Sequence, residues 1–198
     1  PYQKINHFPG SFELGRKNLL CKNIARMKKY LPNEYNFTPR TWLFPQQYEE
    51  FKAHYHSSEE RNKKHKTVYI CKPEASCQGR GIFLTKKLES FGPHDHCVVQ
   101  EYISDPYLID SLKFDLRIYA LVKSVHPLKI FIYREGMARF ATVKYEKPKK
   151  KNMKNLYMHL TNYAVNKRNP GFEKNNNDNE DESKGHKRSF SSILKVSC

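Results

Sequence analysis

Two long strand patterns joined by a four-residue connection constrain the fold of this chain more than any other feature. Phe114–Lys123 and Leu128–Arg134 place apolar side chains at every second position, which is typical of β-strands. Because only Ser124–Pro127 lies between them, the two strands must turn back and pair antiparallel. Met137–Val143 has a similar pattern and is predicted to form a third strand, reached through a turn at Glu135–Gly136.

The N-terminal third of the chain has helical patterns instead. Apolar positions in Arg16–Tyr30 are spaced four, three and four residues apart, which predicts one face of an amphipathic helix. Pro45 favours the first turn of a second helix over Gln46–His54. Ser57–Lys66 is almost wholly polar and is predicted to be a solvated loop or a fraying helix end.

Three shorter β-branched or aromatic runs lie between these parts, and we predict strands over Thr67–Lys72, Gly81–Thr85 and Cys97–Glu101. Helices and antiparallel strands in this order predict an α+β fold with mainly antiparallel sheets. We expect three lobes: an N-terminal lobe over residues 1–66, a central lobe over 67–103 and a C-terminal lobe over 104–198.

Composition narrows the classes of function. The 198 residues include 36 Lys and Arg against 20 Asp and Glu, a net charge of +16, so an anionic partner is expected: nucleic acid, an acidic membrane or an acidic protein tail. With 38% hydrophobic residues the chain can bury a core, which excludes disorder of the whole chain. No apolar run is long enough to cross a membrane. The chain lacks an initiator Met, so we expect it to begin inside a longer protein.

The cysteines and histidines do not suggest a metal centre. The five cysteines are widely spaced, without a C-x-x-C pair, which argues against a zinc ribbon and against a disulfide scaffold and favours a reducing compartment. The run His94–Cys97 follows Gly92 and Pro93 and lacks a second pair of ligands. We therefore interpret it as a loop.

Two charged segments interrupt the globular pattern. Arg139–Lys154 holds seven basic residues and one acid, and includes the run Lys147–Lys151. Glu173–Glu182 holds five acids and one lysine around the run Asn175–Asn177. This composition predicts a disordered insertion over about residues 173–186.

Two segments of the central lobe have residue types suited to a nucleotide. Lys72 ends a strand and is followed by Gln78-Gly79-Arg80-Gly81, where glycines let backbone N–H groups approach phosphate oxygens. Neither a P-loop nor a Rossmann fingerprint is present, and taken alone the segment fits an ordinary hairpin turn beside a surface lysine better than a phosphate site. Gln100–Ile103 ends an apolar strand, and its backbone could contact an adenine edge or simply end the strand.

The C-terminal lobe has two more candidate segments. Lys113, Asp115 and Arg117 share one face of a strand, an arrangement that suits either phosphate handling or an exposed ion triplet. Thr161 and Asn162 lie between apolar residues and could bond a nucleotide or cap a helix.

The order of these segments is more specific than any one of them. The motifs follow one another along the chain in this order: N-H-F-P-G, P-R-T-W, K-P-x(4)-Q-G-R-G-I, V-Q-E-Y-I, K-F-D-L-R, R-F-A-T and H-L-T-N-Y. Together they resemble the tubulin tyrosine ligase-like family. The loop Cys77–Gly81 is most similar to that of the polyglutamylase branch. The resemblance covers almost the whole chain except the basic and Asn-rich insertions.

The resemblance implies an ATP-grasp ligase that uses ATP and Mg²⁺ to add free glutamate to the γ-carboxylate of glutamates in tubulin tails, through an acyl phosphate. It implies phosphate contacts for Lys72, Gln78 and Gly79, and adenine contacts for Gln100, Glu101, Tyr102 and Ile103. The remaining ATP-binding residues that it implies are Lys113, Asp115, Thr161 and Asn162. Arg117 would stabilise the transferring group as the catalytic residue, and the incoming glutamate would contact Arg139, Tyr163 and Ser191.

The resemblance also sets limits. The family's magnesium ligands are expected beyond residue 198, so none is assigned here and the fragment alone is expected to be inactive. Ala75-Ser76 stands where relatives often carry glycine.

The alternative functions are a non-catalytic basic module that binds microtubules or nucleic acid, and a catalytically dead relative retained for microtubule binding. No nucleic-acid-binding pattern supports the nucleic-acid version, and no membrane partner is expected. The implied location is the cytoplasmic microtubule cytoskeleton, including cilia or basal bodies.

Overall fold

A computed structural model describes residues 2–3, 5–61, 66–74, 78–174 and 184–197. Cys77, the pair Ala75-Ser76 and most of the predicted insertion lie outside the described residues. The chain divides into two compact units, Pro1–Ser104 and Asp105–Cys198. The division into three lobes stays a prediction.

The first unit combines a four-stranded sheet with three helices. Its helices are α1 (Phe12–Gly15), α2 (Lys17–Tyr30) and α3 (Tyr48–Arg61), with a short 3₁₀ helix at Leu88–Ser90. Its strands are β1 (Thr41–Leu43), β2 (Tyr69–Pro73), β3 (Phe83–Thr85) and β4 (Cys97–Glu101). The strand order is β1-β4-β2-β3, and each neighbouring pair is antiparallel.

The two faces of this sheet differ in chemistry because side chains alternate along each strand. Trp42, Cys71 and Val99 occupy one row of the register and face an aromatic core that includes Phe51 of α3. The neighbouring rows face the other way. They place Thr41 beside Gln100, and Lys72 beside Val98, on the opposite face.

The second unit is built around a long hairpin. Its strands are β5 (Leu108–Ile109), β6 (Leu112–Val125), β7 (Leu128–Phe140) and β8 (Lys187–Ser189), in the order β5-β6-β7-β8 and all antiparallel. Its helices are α4 (Leu156–His159), α5 (Tyr163–Asn166) and α6 (Phe190–Ser197). A small core of Ile109, Ala138, Phe140 and Ile193 joins α6 to the sheet.

The predicted hairpin is confirmed, but the third strand predicted over Met137–Val143 is wrong. No turn occurs at Glu135–Gly136, and β7 runs unbroken to Phe140. Gly136 serves a close approach of two strands instead, because a Cβ there would lie 2.5 Å from the backbone oxygen of Arg117. Helix α3 likewise continues to Arg61, through much of the segment predicted to be loop.

Among the residues that the structure describes, no helix has the length and apolar character needed to cross a bilayer.

Candidate active site

In the first unit, Lys72 is held by a chain of neutral polar groups. Its Nζ donates to Oε1 of Gln100 at 2.7 Å, and Nε2 of Gln100 donates to Oγ1 of Thr41 at 2.9 Å. Burial, and secondarily the positive charge of Lys17, lower the pKa of Lys72. These two hydrogen bonds therefore orient the ammonium group of Lys72 without neutralising its charge.

Lys72 and Gln100 line a pocket of about 490 Å³ between α2 and the sheet. Side chains of Lys17, Lys28 and Arg40 also line it, and Glu50 is the carboxylate among its lining residues. At the end of β2, the Lys17 ammonium donates to the backbone oxygen of Pro73 and fixes α2 there. The pocket is therefore cationic, and its chemistry suits an anionic ligand.

The glycine-rich loop after β2 has an unusual backbone. Gln78, Gly79 and Gly81 have positive φ angles of 59°, 85° and 67°. A non-glycine residue such as Gln78 pays a conformational cost there, which is often found where backbone N–H groups face a ligand. Neither Gln78 nor Gly79 is among the described residues that line the Lys72 pocket.

The end of β4 is fixed by a ring of contacts. Arg40 donates to Nδ1 of His54 at 2.7 Å, and because a guanidinium can only donate, the His54 proton lies on Nε2. That Nε2–H donates to Glu101 at 3.1 Å, while the backbone N–H of Glu101 donates to the Arg40 oxygen at 2.9 Å. The sequence contains no local signal for this ring, since its members come from three separate elements.

These contacts restrict how the strand end can meet adenine. The N–H groups of Glu101 and Tyr102 already donate to the oxygens of Arg40 and Val68. The Tyr102 side chain is buried, whereas Ile103 is exposed. Of the predicted adenine contacts, the backbone N–H groups of Glu101 and Tyr102 are therefore already used, whereas Ile103 remains exposed.

In the second unit, two residues predicted to bind different ligands bind each other. Asp115 and Arg139 lie directly opposite on β6 and β7. Nε of Arg139 donates to Oδ1 of Asp115 at 2.9 Å, and its Nη2 donates to Oδ2. This hydrogen bonding raises the pKa of Arg139. One edge of the guanidinium is therefore already occupied, and an incoming carboxylate must use its remaining N–H groups.

Lys113 and Arg117 share the Asp115 face of β6, as predicted. Nζ of Lys113 donates to the backbone oxygen of His159 at 3.1 Å. Arg117 is exposed and opposes Met137. Among the residues that the structure describes, no hydrogen bond or ion pair engages the Arg117 guanidinium, so it remains available to an anion.

The segment that carries Thr161 and Asn162 is positioned by Asn166. Nδ2 of this buried amide donates to the backbone oxygens of Leu160 and Asn162, at 2.8 and 3.1 Å. Its Oδ1 accepts from the N–H and the hydroxyl of Thr142, at 3.0 and 2.9 Å. Sequence reasoning missed Asn166; a polar residue on a short helix among apolar neighbours was the available signal.

Tyr163 and Ser191 lie near two charged residues that the sequence analysis also missed. The Lys187 ammonium lies 3.9 Å from the centroid of the Tyr163 ring. The backbone N–H of Ser191 donates to Oε1 of Glu135 at 3.1 Å, and that of Gly136 donates to the same oxygen. These hydrogen bonds lower the pKa of Glu135. Glu135 thus ties the start of α6 to β7.

Comparison with known proteins shows what this chain is similar to. The Tubulin-tyrosine ligase family matches residues 1–197. A probable beta-tubulin polyglutamylase of Tetrahymena thermophila is 53% identical over 99% of the chain, and tubulin polyglutamylase ttll6 of Danio rerio is 50% identical over 98%. Tubulin polyglutamylase TTLL13 of Mus musculus is 48% identical over 97%. The chain spans only 16%, 23% and 22% of these relatives. It belongs to the tubulin-tyrosine ligase family.

Proposed function

We propose that this chain forms part of an ATP-dependent ligase that adds glutamate to glutamate side chains in tubulin tails. The family has the ATP-grasp fold, and the α+β architecture with antiparallel sheets agrees with it. The observation that carries the proposal is that each unit holds a differently built basic centre: Lys72 with a neutral amide partner in one, and Arg139 ion-paired with Asp115 in the other. One suits a polyphosphate and the other suits an amino acid.

The residues of the first unit fit ATP. A half-buried ammonium with a neutral amide partner gains strongly from a phosphate, because the charge is partly desolvated and uncompensated. Bound ATP supplies the phosphoryl group that activates a carboxylate for attack by an amine. Lys72 would hold phosphate oxygens, and the strand end at Gln100–Ile103 would orient the base.

The described residues do not by themselves form a magnesium site. Among them, no group of three or more His, Cys, Asp or Glu side chains could hold a metal ion. No step is therefore assigned to a metal on this part of the chain.

The second unit supplies the groups for the amino-acid side of the reaction. Arg117 would stabilise negative charge on the transferring phosphoryl or acyl group, since it is exposed and lies on the same face of β6 as Asp115. Arg139 would select the side-chain carboxylate of glutamate through the N–H groups that Asp115 leaves open. Tyr163 and Ser191 would form other parts of the donor pocket.

A basic turn supports an acidic protein substrate. Asn152 is buried; its Oδ1 accepts from the Lys149 N–H at 2.7 Å, and its Nδ2 donates to the Lys147 oxygen at 3.1 Å. These bonds fix the backbone, so the exposed side chains of Lys149, Lys150 and Lys151 project from an ordered turn. Such a turn can bind the carboxylates of a tubulin tail.

The same turn favours a second candidate, a basic module that binds microtubules without catalysis. A ligation assay separates the two. The full-length protein is given ATP, Mg²⁺, tubulin and labelled glutamate, glycine or tyrosine in parallel. We expect ATP-dependent incorporation of glutamate. Microtubule binding without incorporation of any donor would support the non-catalytic module.

A further inference from the structure

Lys187 lies among the three residues proposed to bind the donor. On β8 it is directly opposite Arg139 of β7, and directly opposed residues of paired strands project on the same face. Its ammonium stands over the Tyr163 ring, and Ser191 follows four residues later at the start of α6. No motif in the sequence pointed to this residue, because β8 comes after the acidic insertion.

The donor face around Arg139 has little net positive charge, and Lys187 adds a second cation to it. Arg139 is compensated by Asp115, so the pair has little net charge. A glutamate donor carries two carboxylates, and both must be held while its α-amine stays free to attack. A second cation close to Arg139 would balance the second carboxylate.

The neighbouring Arg188 does not suit this role. Its Nη1 contacts Oδ2 of Asp110 at 2.6 Å, and its guanidinium lies 4.2 Å from the centroid of the Phe140 ring. Arg188 therefore helps to pack the sheet against its core. Lys187, by contrast, is exposed, and its contact with Tyr163 leaves its N–H donors open to an anion.

We propose that Lys187 is a specificity-determining residue that contacts a carboxylate of the incoming dicarboxylic amino acid. This inference rests on the proposed function, because it takes the face around Arg139 as the donor site. Lys187 and Arg139 together would require a donor with two carboxylates. Glycine and tyrosine would leave one cation without an anion.

The test uses the full-length protein with Lys187→Met and Lys187→Arg, and Lys195→Met on exposed α6 as a charge-matched control. Equilibrium binding of labelled glutamate is measured first, followed by the KM values for glutamate and ATP. We expect Lys187→Met to weaken glutamate binding by about tenfold or more, the effect of losing a charge-assisted hydrogen bond. The KM for ATP should stay within about twofold, and Lys187→Arg should retain most of the affinity.

The outcomes separate this inference from the proposed function. Unchanged glutamate binding in Lys187→Met, or an equal loss in Lys195→Met, would overturn the role of Lys187. A parallel rise in the KM for ATP would do so as well, because it would indicate general damage. A wild-type protein that ligates glycine or tyrosine instead of glutamate would overturn the proposed function, whatever Lys187→Met does to glutamate binding.

Discussion

The two units treat their central cations in opposite ways. Lys72 in the first unit has an amide as its partner, in a pocket lined by other cations. Arg139 in the second unit has a carboxylate as its partner and is half-buried beside it. The first centre keeps an uncompensated charge, whereas the second is close to neutral.

On the proposed function, this difference would allow one chain to bind two kinds of anion. An uncompensated, desolvated ammonium attracts any phosphate strongly and with little regard to shape. A guanidinium held by a carboxylate on one edge is fixed in orientation, so a second carboxylate must match its remaining N–H groups. The first arrangement favours affinity, and the second favours selection.

The largest effect is expected from Arg117, an exposed arginine of β6 for which the described residues provide no carboxylate partner. Arg117→Ala should lower turnover by about 100-fold or more, the usual loss for one donor to a transition-state charge. ATP affinity should change little, since the charge that Arg117 would stabilise grows in the transition state. Single-turnover rates and ATP binding check this. An unchanged rate would remove Arg117 from the site.

Gly136→Ala is expected to have a smaller effect, a loss of stability in the second unit. The added Cβ would meet the Arg117 backbone oxygen at 2.5 Å, so β6 and β7 must shift apart. We expect a loss of about 1–3 kcal/mol in the free energy of unfolding. Denaturant unfolding measures it, with Gly15→Ala as the control because no atom lies within 4 Å of its new Cβ. Equal stability of the two variants would contradict the close approach.

The smallest effect concerns the surface turn rather than either centre. Changing Lys149, Lys150 and Lys151 to Gln should weaken co-sedimentation with microtubules several-fold and reduce its salt dependence, because exposed charges are screened over about 8–10 Å. ATP binding should be unaffected. A charge-matched control changes three exposed lysines of the first unit to Gln: Lys22, Lys29 and Lys52. If both triple variants bind microtubules alike, only net charge matters.

Much of this arrangement was predictable from the sequence, because local patterns determine it. The period of Phe114–Arg134 predicted the hairpin, and the spacing in Arg16–Tyr30 predicted α2. The order of short motifs indicated the family. The two structural signals each lie within a few tens of residues, where periodicity and turn chemistry dominate, whereas the family signal comes from the order of motifs along most of the chain.

The contacts that define the site were not predictable in the same way. The pairing of Asp115 with Arg139 depends on the register of β6 and β7, which shifts between Ile118 and Ala120. Lys187 reaches this face only because β8 returns to β7 after the insertion. Such partners are set by tertiary pairing, on which a pattern of residue types carries no information.

The measurement that tests the central claim is a comparison of two variants of the full-length protein, Lys72→Ala and Arg139→Lys, by the KM values for ATP and for glutamate. Lys72→Ala should raise the KM for ATP by about tenfold or more and leave that for glutamate nearly unchanged. Arg139→Lys should do the reverse, because an ammonium cannot hold Asp115 and a donor carboxylate in the same geometry. If both variants shift both KM values equally, Lys72 and Arg139 do not bind different anions. That result would contradict the separate roles proposed for the two units.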